Sequence, residues 1–233
     1  MNSAAYLRKI HKTVTFMKMT ERIATMSYDN KHQVGAILVK NDFSTIAAIG
    51  YNGNHRGGTN ERESQDSGMS GFLHAEENVL IKANLARPED YTMYVTMTPC
   101  RMCAKRIVNK EIREVVYLEA YTNGGDIASV FREGGVRCLT LKEKLMTYFV
   151  MTDFLPELQA KINALVEAKS DRETLEIELT GLMYVQLGRY FANANVDLSL
   201  IGFMLDEDFD FTNVHALVKA YSYMLLDMLY WIS

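Results

Sequence analysis

The sequence predicts a mixed α/β domain over residues 1–141, followed by an all-helical segment over residues 142–233. Two observations support this prediction. Short β-rich runs alternate with helix-periodic segments as far as about residue 141, and beyond it the apolar periodicities become long, with few strand signals. At 233 residues, of which 48% are hydrophobic and 23% are charged, the chain can bury the core of one large domain or of a domain plus an appendage.

The first elements are a helix, a β-hairpin and a long polar loop. Apolar residues between Tyr6 and Met26 recur at helical spacing. The runs QVGAILVK and STIAAIGYN, separated by the turn-forming NDF, predict two adjacent antiparallel strands. Residues 52–71 are rich in Gly, Asn, Ser and charge, and a loop of that length is often functional. A helix is then expected from near His74 to about Ala86, where Arg87-Pro88 would end it.

Strands and helices alternate in the next part of the chain. TMYVTM predicts a strand, Pro99 opens a helix, REVVYLEA predicts another strand, residues 126–134 a helix, and VRCLTL a last strand. Because βαβ crossovers join the later strands, those strands should be parallel. The whole sheet is therefore expected to be five-stranded and mixed.

The last segment is predicted to be helical. LPELQAKINALVEA and TLEIELTGLMYVQLGRYF are amphipathic at helical spacing. Val214 to Ile232 is apolar but interrupted by His215, Lys219 and Asp227, which favours a buried or interface helix over a membrane span. Thr212 or Asn213 is expected to cap this helix.

Composition narrows the classes of function and the cellular setting. With 25 Lys and Arg against 29 Asp and Glu, the net charge of −4 argues against a surface built for nucleic acid. The N-terminus has no apolar core typical of a secretory signal, and three cysteines do not form a disulfide framework. We therefore expect a cytoplasmic protein with no membrane partner.

Two short motifs carry candidate chemistry, and each is ambiguous alone. Cys100 and Cys103 lie three apart after Pro99, where a helix N-terminus lowers the thiol pKa and favours metal binding, although a redox dithiol fits as well. His74 and Glu76 converge only if a helix begins there, and the same pair could be an ordinary surface helix start.

Together the motifs predict a catalytic zinc site. His74, Cys100 and Cys103 supply three ligands and leave the fourth tetrahedral position for water, whose pKa a bound Zn²⁺ lowers towards ~7. Glu76 is placed beside that water to move protons. The pattern H-x-E…P-C-x-x-C is typical of zinc-dependent nucleobase deaminases.

The surrounding residues resemble the deoxycytidylate (dCMP) deaminases. The resemblance covers about residues 20–141 and is carried by VGAILVKND, GYNGNHRGG, HAEENVL, CAKRIV and EIREVVYLEAY. It implies a cytidine deaminase-like three-layer α/β/α fold with one catalytic zinc ion. It also implies hydrolysis of dCMP to dUMP and ammonia, on the route to thymidylate, with Glu76 protonating N3 of the ring and later the leaving amine.

The resemblance also implies substrate contacts. Asn52 would bind the deoxyribose hydroxyl, and Tyr121 would lie near the nucleotide. Arg56 and Lys31 are the candidate phosphate partners, and His55, which replaces the proline of the family's N-G-x-P, could touch phosphate or face solvent. Relatives form dimers or hexamers, and many respond to the effectors dCTP and dTTP with Mg²⁺. Residues 142–233 carry no recognisable catalytic motif, and they are expected to serve oligomerisation or partner binding.

Several alternatives stay open from the sequence. The substrate could be dCTP, cytidine or a free base such as guanine. A tRNA adenosine deaminase shares both motifs, but Thr98 stands where that family usually has Glu. A catalytically silent zinc module that serves assembly is a further alternative, against which the intact Glu76 argues.

Overall fold

The computed structural model describes residues 3–66, 69–121, 125–149, 154–190 and 213–232. Its sheet has five strands in the spatial order β2-β1-β3-β4-β5. The strands are β1 (Gly35–Lys40), β2 (Ile46–Tyr51), β3 (Tyr91–Met97), β4 (Glu114–Glu119) and β5 (Arg137–Thr140). Strand β1 pairs antiparallel with both β2 and β3, whereas β3, β4 and β5 run parallel. The predicted hairpin, the parallel strands and the mixed five-stranded sheet are confirmed.

The described residues form eight helices. They are α1 (Ser3–Ala24), α2 (Ala75–Lys82), α3 (Arg101–Asn109), α4 (Ile127–Glu133), α5 (Leu141–Phe149), α6 (Phe154–Glu167), α7 (Arg172–Tyr190) and α8 (Val214–Ile232). A single 3₁₀ turn, Pro88–Asp90, precedes β3. Among the described parts of the chain, no helix is long and apolar enough to cross a membrane.

The sheet is covered on both faces, which confirms the three-layer α/β/α prediction. Side chains alternate across a strand, so Met93 and Tyr94 of β3 point to opposite faces. Met93 belongs to a core cluster with residues of α2, α3 and α4, such as Val79, Ile107 and Phe131. On the other face, the ring of Tyr94 packs against Phe16 of α1, with the ring centroids 6.2 Å apart. Helices α2, α3 and α4 therefore form one layer and α1 lies in the other.

A glycine lets α2 lie unusually close to the sheet. A Cβ atom built on Gly50 of β2 would come within 2.3 Å of the backbone oxygen of Ala75, the first residue of α2. No side chain fits in that space. The first turn of α2 is thus held directly against β2, and this contact positions the residues at the start of the helix.

Two predicted boundaries are wrong. Helix α2 ends at Lys82 and not near Ala86, because Ala83 takes an extended conformation and its carbonyl accepts a hydrogen bond from Lys110 Nζ at 3.3 Å. The last strand ends at Thr140, one residue earlier than predicted, because Leu141 begins α5. Helix α5 was absent from the prediction as a separate element.

The chain divides into two compact units. One is Lys12–Lys144, which contains the sheet, and the other combines Met1–His11 with Leu145–Ser233. In the second unit, α8 packs against α6 and α7. Its buried residues include Leu158, Ile162, Leu175, Leu179, Leu217 and Tyr221. Within the described residues the C-terminal segment is all-helical, and Asn213 caps α8 by accepting a hydrogen bond from the N–H of Ala216 at 3.1 Å.

Candidate metal and active site

His74 lies at the start of a helix, as the sequence predicts. It is the N-cap of α2, with extended backbone angles (φ −71°, ψ 157°), and Glu76 is the second residue of the helix. The long loop before it is closed at its base by Gly53 and Leu73, whose backbone groups exchange hydrogen bonds of 3.2 and 2.9 Å. This closure brings His74 next to the end of β2.

Cys100 and Cys103 lie at the start of the next helix. Cys100 is the N-cap of α3 and Cys103 is in its first turn. The chain reaches this point from the carboxyl end of β3, where the N–H of Thr98 donates to the carbonyl of Glu119 at the end of β4 at 2.9 Å. Two helix N-termini therefore meet at one edge of the sheet, beside the ends of two parallel strands, where α/β proteins commonly bind ligands.

The three predicted ligand side chains converge. His74 Nδ1 lies 3.6 Å from Cys100 Sγ and 3.5 Å from Cys103 Sγ. In a tetrahedral zinc site, Zn–S bonds of about 2.3 Å and Zn–N bonds of about 2.0 Å place the N and S ligands about 3.5 Å apart. All three ligand atoms lie within 4.8 Å of one another. Their donor types and spacing fit one zinc ion.

The proximity of the two thiols changes their acidity. A hydrogen bond from Cys103, aided by His74, lowers the pKa of Cys100 to about 3 although burial opposes the shift. The same hydrogen bond and burial raise the pKa of Cys103. His74 has a raised pKa, mainly because of its hydrogen bond with Cys100. A cation at the centre of this cluster would displace the remaining protons, since metal ligands bind in their deprotonated forms.

Glu76 is a buried carboxyl group beside the cluster. It is 4% exposed and lines the same cavity as His74 and Cys100. Burial raises the pKa of Glu76 because the charged form loses hydration, and its hydrogen bonds compensate only in part. A carboxyl group with a raised pKa can both donate and accept a proton near neutral pH, as a general acid–base catalyst requires.

The cavity has walls from several parts of the sheet unit. Its lining residues are Asp29, His32, Val34, Asn52, Arg62, Ser70, His74, Glu76, Met97, Thr98, Cys100 and Tyr121. Polar groups, the metal-ligand cluster and a few apolar side chains thus share one concave site.

Two predicted substrate-binding residues lie in this cavity. Asn52 is buried, and its side chain bridges two segments, accepting from the N–H of Ala75 at 3.0 Å and donating to the carbonyl of His32 at 2.8 Å. Tyr121 is held by its backbone N–H, which donates to Thr98 Oγ1 at 2.6 Å. Its ring meets the edge of the His32 ring, with centroids 6.0 Å apart.

The other three predicted residues do not line the cavity. Lys31 is exposed and donates from Nζ to the carbonyl of Gln65 at 2.6 Å. His55 is exposed, and its Nδ1 lies 2.8 Å from Asn54 Oδ1. Arg56 is exposed on the same loop. The structure therefore does not bring these residues together with His74, Cys100 and Cys103.

Sequence reasoning missed a buried ion pair in the cavity wall. Arg62 of the long loop pairs with Asp29, and their side chains are only 5% and 3% exposed. Burial alone would raise the pKa of Asp29, but hydrogen bonds from the N–H groups of Lys31 and His32 and from Arg62 outweigh it, so the pKa is lowered. In the sequence both residues stand in polar loops without periodicity, where charged side chains usually face solvent, so no pattern marked them.

Comparison with known proteins shows which family this chain resembles. The family described as the cytidine and deoxycytidylate deaminase zinc-binding region matches residues 10–119, which include the His-Cys-Cys cluster and Glu76. The deoxycytidylate deaminase of Schizosaccharomyces pombe is 33% identical over 52% of this chain, but the match spans only 41% of the yeast protein. A crystal structure of a dCMP deaminase from the cyanophage S-TIM5, in complex with dCMP and dUMP, matches 54% of this chain and 93% of its own at 30% identity and a TM-score of 0.47.

A match that spans most of a relative's length identifies the family. The human deoxycytidylate deaminase is 30% identical over 50% of this chain, and the match covers 70% of the human protein. The deoxycytidylate deaminase of Pongo abelii matches to the same extent. The chain therefore belongs to the zinc-dependent deoxycytidylate deaminase family, within the cytidine deaminase-like superfamily.

Proposed function

We propose that the protein catalyses the hydrolytic deamination of dCMP to dUMP with release of ammonia. One observation carries the proposal: a His-Cys-Cys cluster with zinc-ligand spacing and a buried carboxyl group share one cavity in a member of this family. The related yeast and human proteins are deoxycytidylate deaminases, which supports dCMP as the substrate.

His74, Cys100 and Cys103 are the proposed ligands of a single zinc ion. Both cysteines and the histidine sit at helix N-termini, whose partial positive charge favours the thiolates that zinc binds. When bound, the ion supplies an acidified water as the nucleophile for C4 of the cytosine ring.

Glu76 is the proposed proton carrier. Replacing the C4 amino group with oxygen requires a proton at N3 of the ring and another on the leaving amine. The raised pKa of Glu76 keeps its neutral form available to donate to N3, and the resulting carboxylate accepts a proton from the attacking water and passes it to the amine. As ammonia leaves, the C4 hydroxyl group becomes the carbonyl and its proton returns to Glu76, which restores the neutral acid. Burial also excludes bulk water that would compete for these protons.

Asn52 is the proposed contact to the deoxyribose hydroxyl, and Tyr121 is proposed to lie near the nucleotide. The described hydrogen bonds use one Asn52 N–H and one lone pair of Oδ1, so each polar atom retains capacity for a deoxyribose hydroxyl. Tyr121 offers a ring beside the cavity and a hydroxyl group. Holding Asn52 from two sides fixes its orientation before a ligand enters.

A panel of ammonia-release assays tests the proposal. The zinc-loaded protein should act on dCMP in preference to CMP, dCTP, cytidine, deoxycytidine, guanine and tRNA, and a chelator should abolish turnover. Turnover with tRNA alone would overturn the proposal, as would turnover of dCMP that survives complete removal of zinc.

We also propose a domain organisation and an assembly for the chain. Residues 1–141 would form the zinc domain, and residues 142–233 a helical extension for oligomerisation or partner binding, in a cytoplasmic dimer or hexamer. Light scattering of the full chain, with and without dCTP or dTTP and Mg²⁺, measures both the assembly and its response to these nucleotides. A monomer that is unaffected by either nucleotide would refute the proposed assembly and the proposed effectors.

A further inference from the structure

One buried cation in the cavity has no role in the proton chemistry above. Arg62 lines the cavity together with His74, Glu76 and Cys100, and its side chain is only 5% exposed. Among the Lys and Arg residues of the described chain, it is the only one that lines this cavity. A buried guanidinium group at a small-molecule site needs a reason, because burying a charge costs several kcal/mol unless the charge is paired.

Arg62 is fixed in place before any ligand binds. Its Nη1 donates to Asp29 Oδ1, and its Nε donates to the carbonyl of Ser64 at 3.1 Å. Asp29 is itself anchored, because the same Oδ1 accepts from the N–H groups of Lys31 and His32 at 2.9 and 3.2 Å. A guanidinium group held in this way loses little further rotamer freedom on binding.

The contacts of Arg62 leave donors for a ligand. Nε and one N–H of Nη1 are used, whereas an arginine has five N–H groups in a planar fork. That fork matches the oxygens of a phosphate group. Asp29 and Glu76 also line the cavity, so without Arg62 a phosphorylated ligand would meet two acidic side chains there and no lysine or arginine.

We propose that Arg62, oriented by Asp29, selects a 5′-phosphorylated cytosine nucleotide over the corresponding nucleoside. This inference rests on the proposed function for the reaction at the ring, and it concerns the opposite end of the substrate. It assigns the phosphate contact to a residue other than Arg56, Lys31 and His55, which lie outside the cavity wall. Asp29 is a positioning residue in this arrangement.

The test compares two substrates that differ only in the phosphate, dCMP and deoxycytidine. Arg62→Gln leaves Asp29 without its cation, so the informative variant is Asp29→Asn combined with Arg62→Gln, a neutral pair that can retain a side-chain hydrogen bond. We expect kcat/KM for dCMP to fall about 10- to 100-fold, the range typical of a lost hydrogen bond to a charged group, with little change for deoxycytidine. Equal losses for both substrates would show that Arg62 only supports the fold and would overturn the proposal.

Matched substitutions separate this site from other cations. Arg87→Gln removes a side chain that is 69% exposed and lies outside the cavity, and it should leave the dCMP-to-deoxycytidine ratio within twofold of the wild type. If Arg56→Gln or Lys31→Gln causes the selective loss instead, the phosphate contact is the one predicted from the sequence, and the assignment to Arg62 is wrong. If the double variant does not fold, Arg62→Lys keeps the charge but removes the fork, and the ratio should still fall severalfold.

Binding of the proposed product, dUMP, and of its nucleoside tests the role of Arg62 independently of catalysis. Calorimetry on the zinc-loaded protein compares dUMP with deoxyuridine, and the double variant should lose affinity for dUMP alone. If the wild type fails to deaminate dCMP, the proposed function fails, yet selective loss of dUMP binding still supports the role of Arg62. Equal affinities of the wild type for dUMP and deoxyuridine would overturn that role even if deamination occurs.

Discussion

Replacing Asn52 with alanine should destabilise the sheet unit more than any exposed substitution in the long loop. The Asn52 side chain satisfies the N–H of Ala75, which is fully buried, and the carbonyl of His32. An unsatisfied buried group costs about 1–3 kcal/mol, so leaving the Ala75 N–H without a partner costs about that much, and losing the partner of the partly buried His32 carbonyl adds a smaller amount. That is a large part of the 5–15 kcal/mol that typically separates folded and unfolded states.

Asn54 offers a matched control in the same loop. Its side chain donates to the carbonyl of Thr59 at 2.7 Å, and its Oδ1 lies 2.8 Å from both the backbone nitrogen and the Nδ1 atom of His55, but all three hydrogen bonds are exposed to solvent. Water can replace these bonds, and Asn54→Ala should change the free energy of unfolding by no more than about 0.5 kcal/mol.

Two measurements check the expected difference. Urea unfolding of the zinc-loaded variants, followed by circular dichroism at fixed free zinc, reports the stability. Hydrogen exchange reports the site itself, because the amide of Ala75 should lose protection selectively in Asn52→Ala. If Asn52→Ala costs less than about 1 kcal/mol and Ala75 keeps its protection, Asn52 does not hold the start of α2 and the reasoning is refuted.

Three further predictions follow from the same unit. Glu76→Gln should keep its zinc, measured by atomic absorption, but lower kcat by about 10²–10⁴. Because burial raises the pKa of Glu76, the neutral glutamine variant should be no less stable than the wild type at pH 7. An unchanged kcat would contradict the proton-carrier role. Gly50→Ala should destabilise the protein by about 1–3 kcal/mol in urea, since its Cβ would lie 2.3 Å from the Ala75 oxygen, and an unchanged midpoint would disprove this close contact. The pKa of Asp29 is lowered in the fold, so its interactions stabilise the folded state above the ordinary pKa of 3.8 and are lost as the pH falls below it. The free energy of unfolding of Asp29→Asn should therefore fall less between pH 5 and 3 than that of the wild type. Equal decreases would show that the Asp29 carboxylate does not stabilise the fold.

The local elements of the site could be predicted because their signals are local. Neighbouring residues alone predict a helix start after a polar loop, a helix opened by proline and the β-rich run between them. His74 and Cys100 do cap their helices. Two motifs separated by a predicted strand sufficed to indicate a His-Cys-Cys cluster. The end of α2 was not predictable in this way, because it depends on Ala83 turning its carbonyl towards Lys110, which is distant in sequence.

The substrate contacts could be predicted only in part. Arg56 and Lys31 stood out as charged donors on loops near the expected pocket, but the sequence does not show which side of a loop faces a cavity. Arg62 lies in the same loop as Arg56 and looks no different in the sequence. It lines the cavity because Asp29, 33 positions earlier, binds its guanidinium group.

The sequence by itself determined the order of helices and strands apart from α5, the family and the three side chains that fit a zinc ion. Only the tertiary structure decided which charges are buried. Glu114 on β4, for example, is neutralised by Lys144 at the start of α5, 30 residues away, with Nζ and Oε1 2.5 Å apart. Secondary structure and helix caps depend on residues within a few positions of one another, whereas the partner of a buried charge is chosen by the packing of segments that are far apart in the chain.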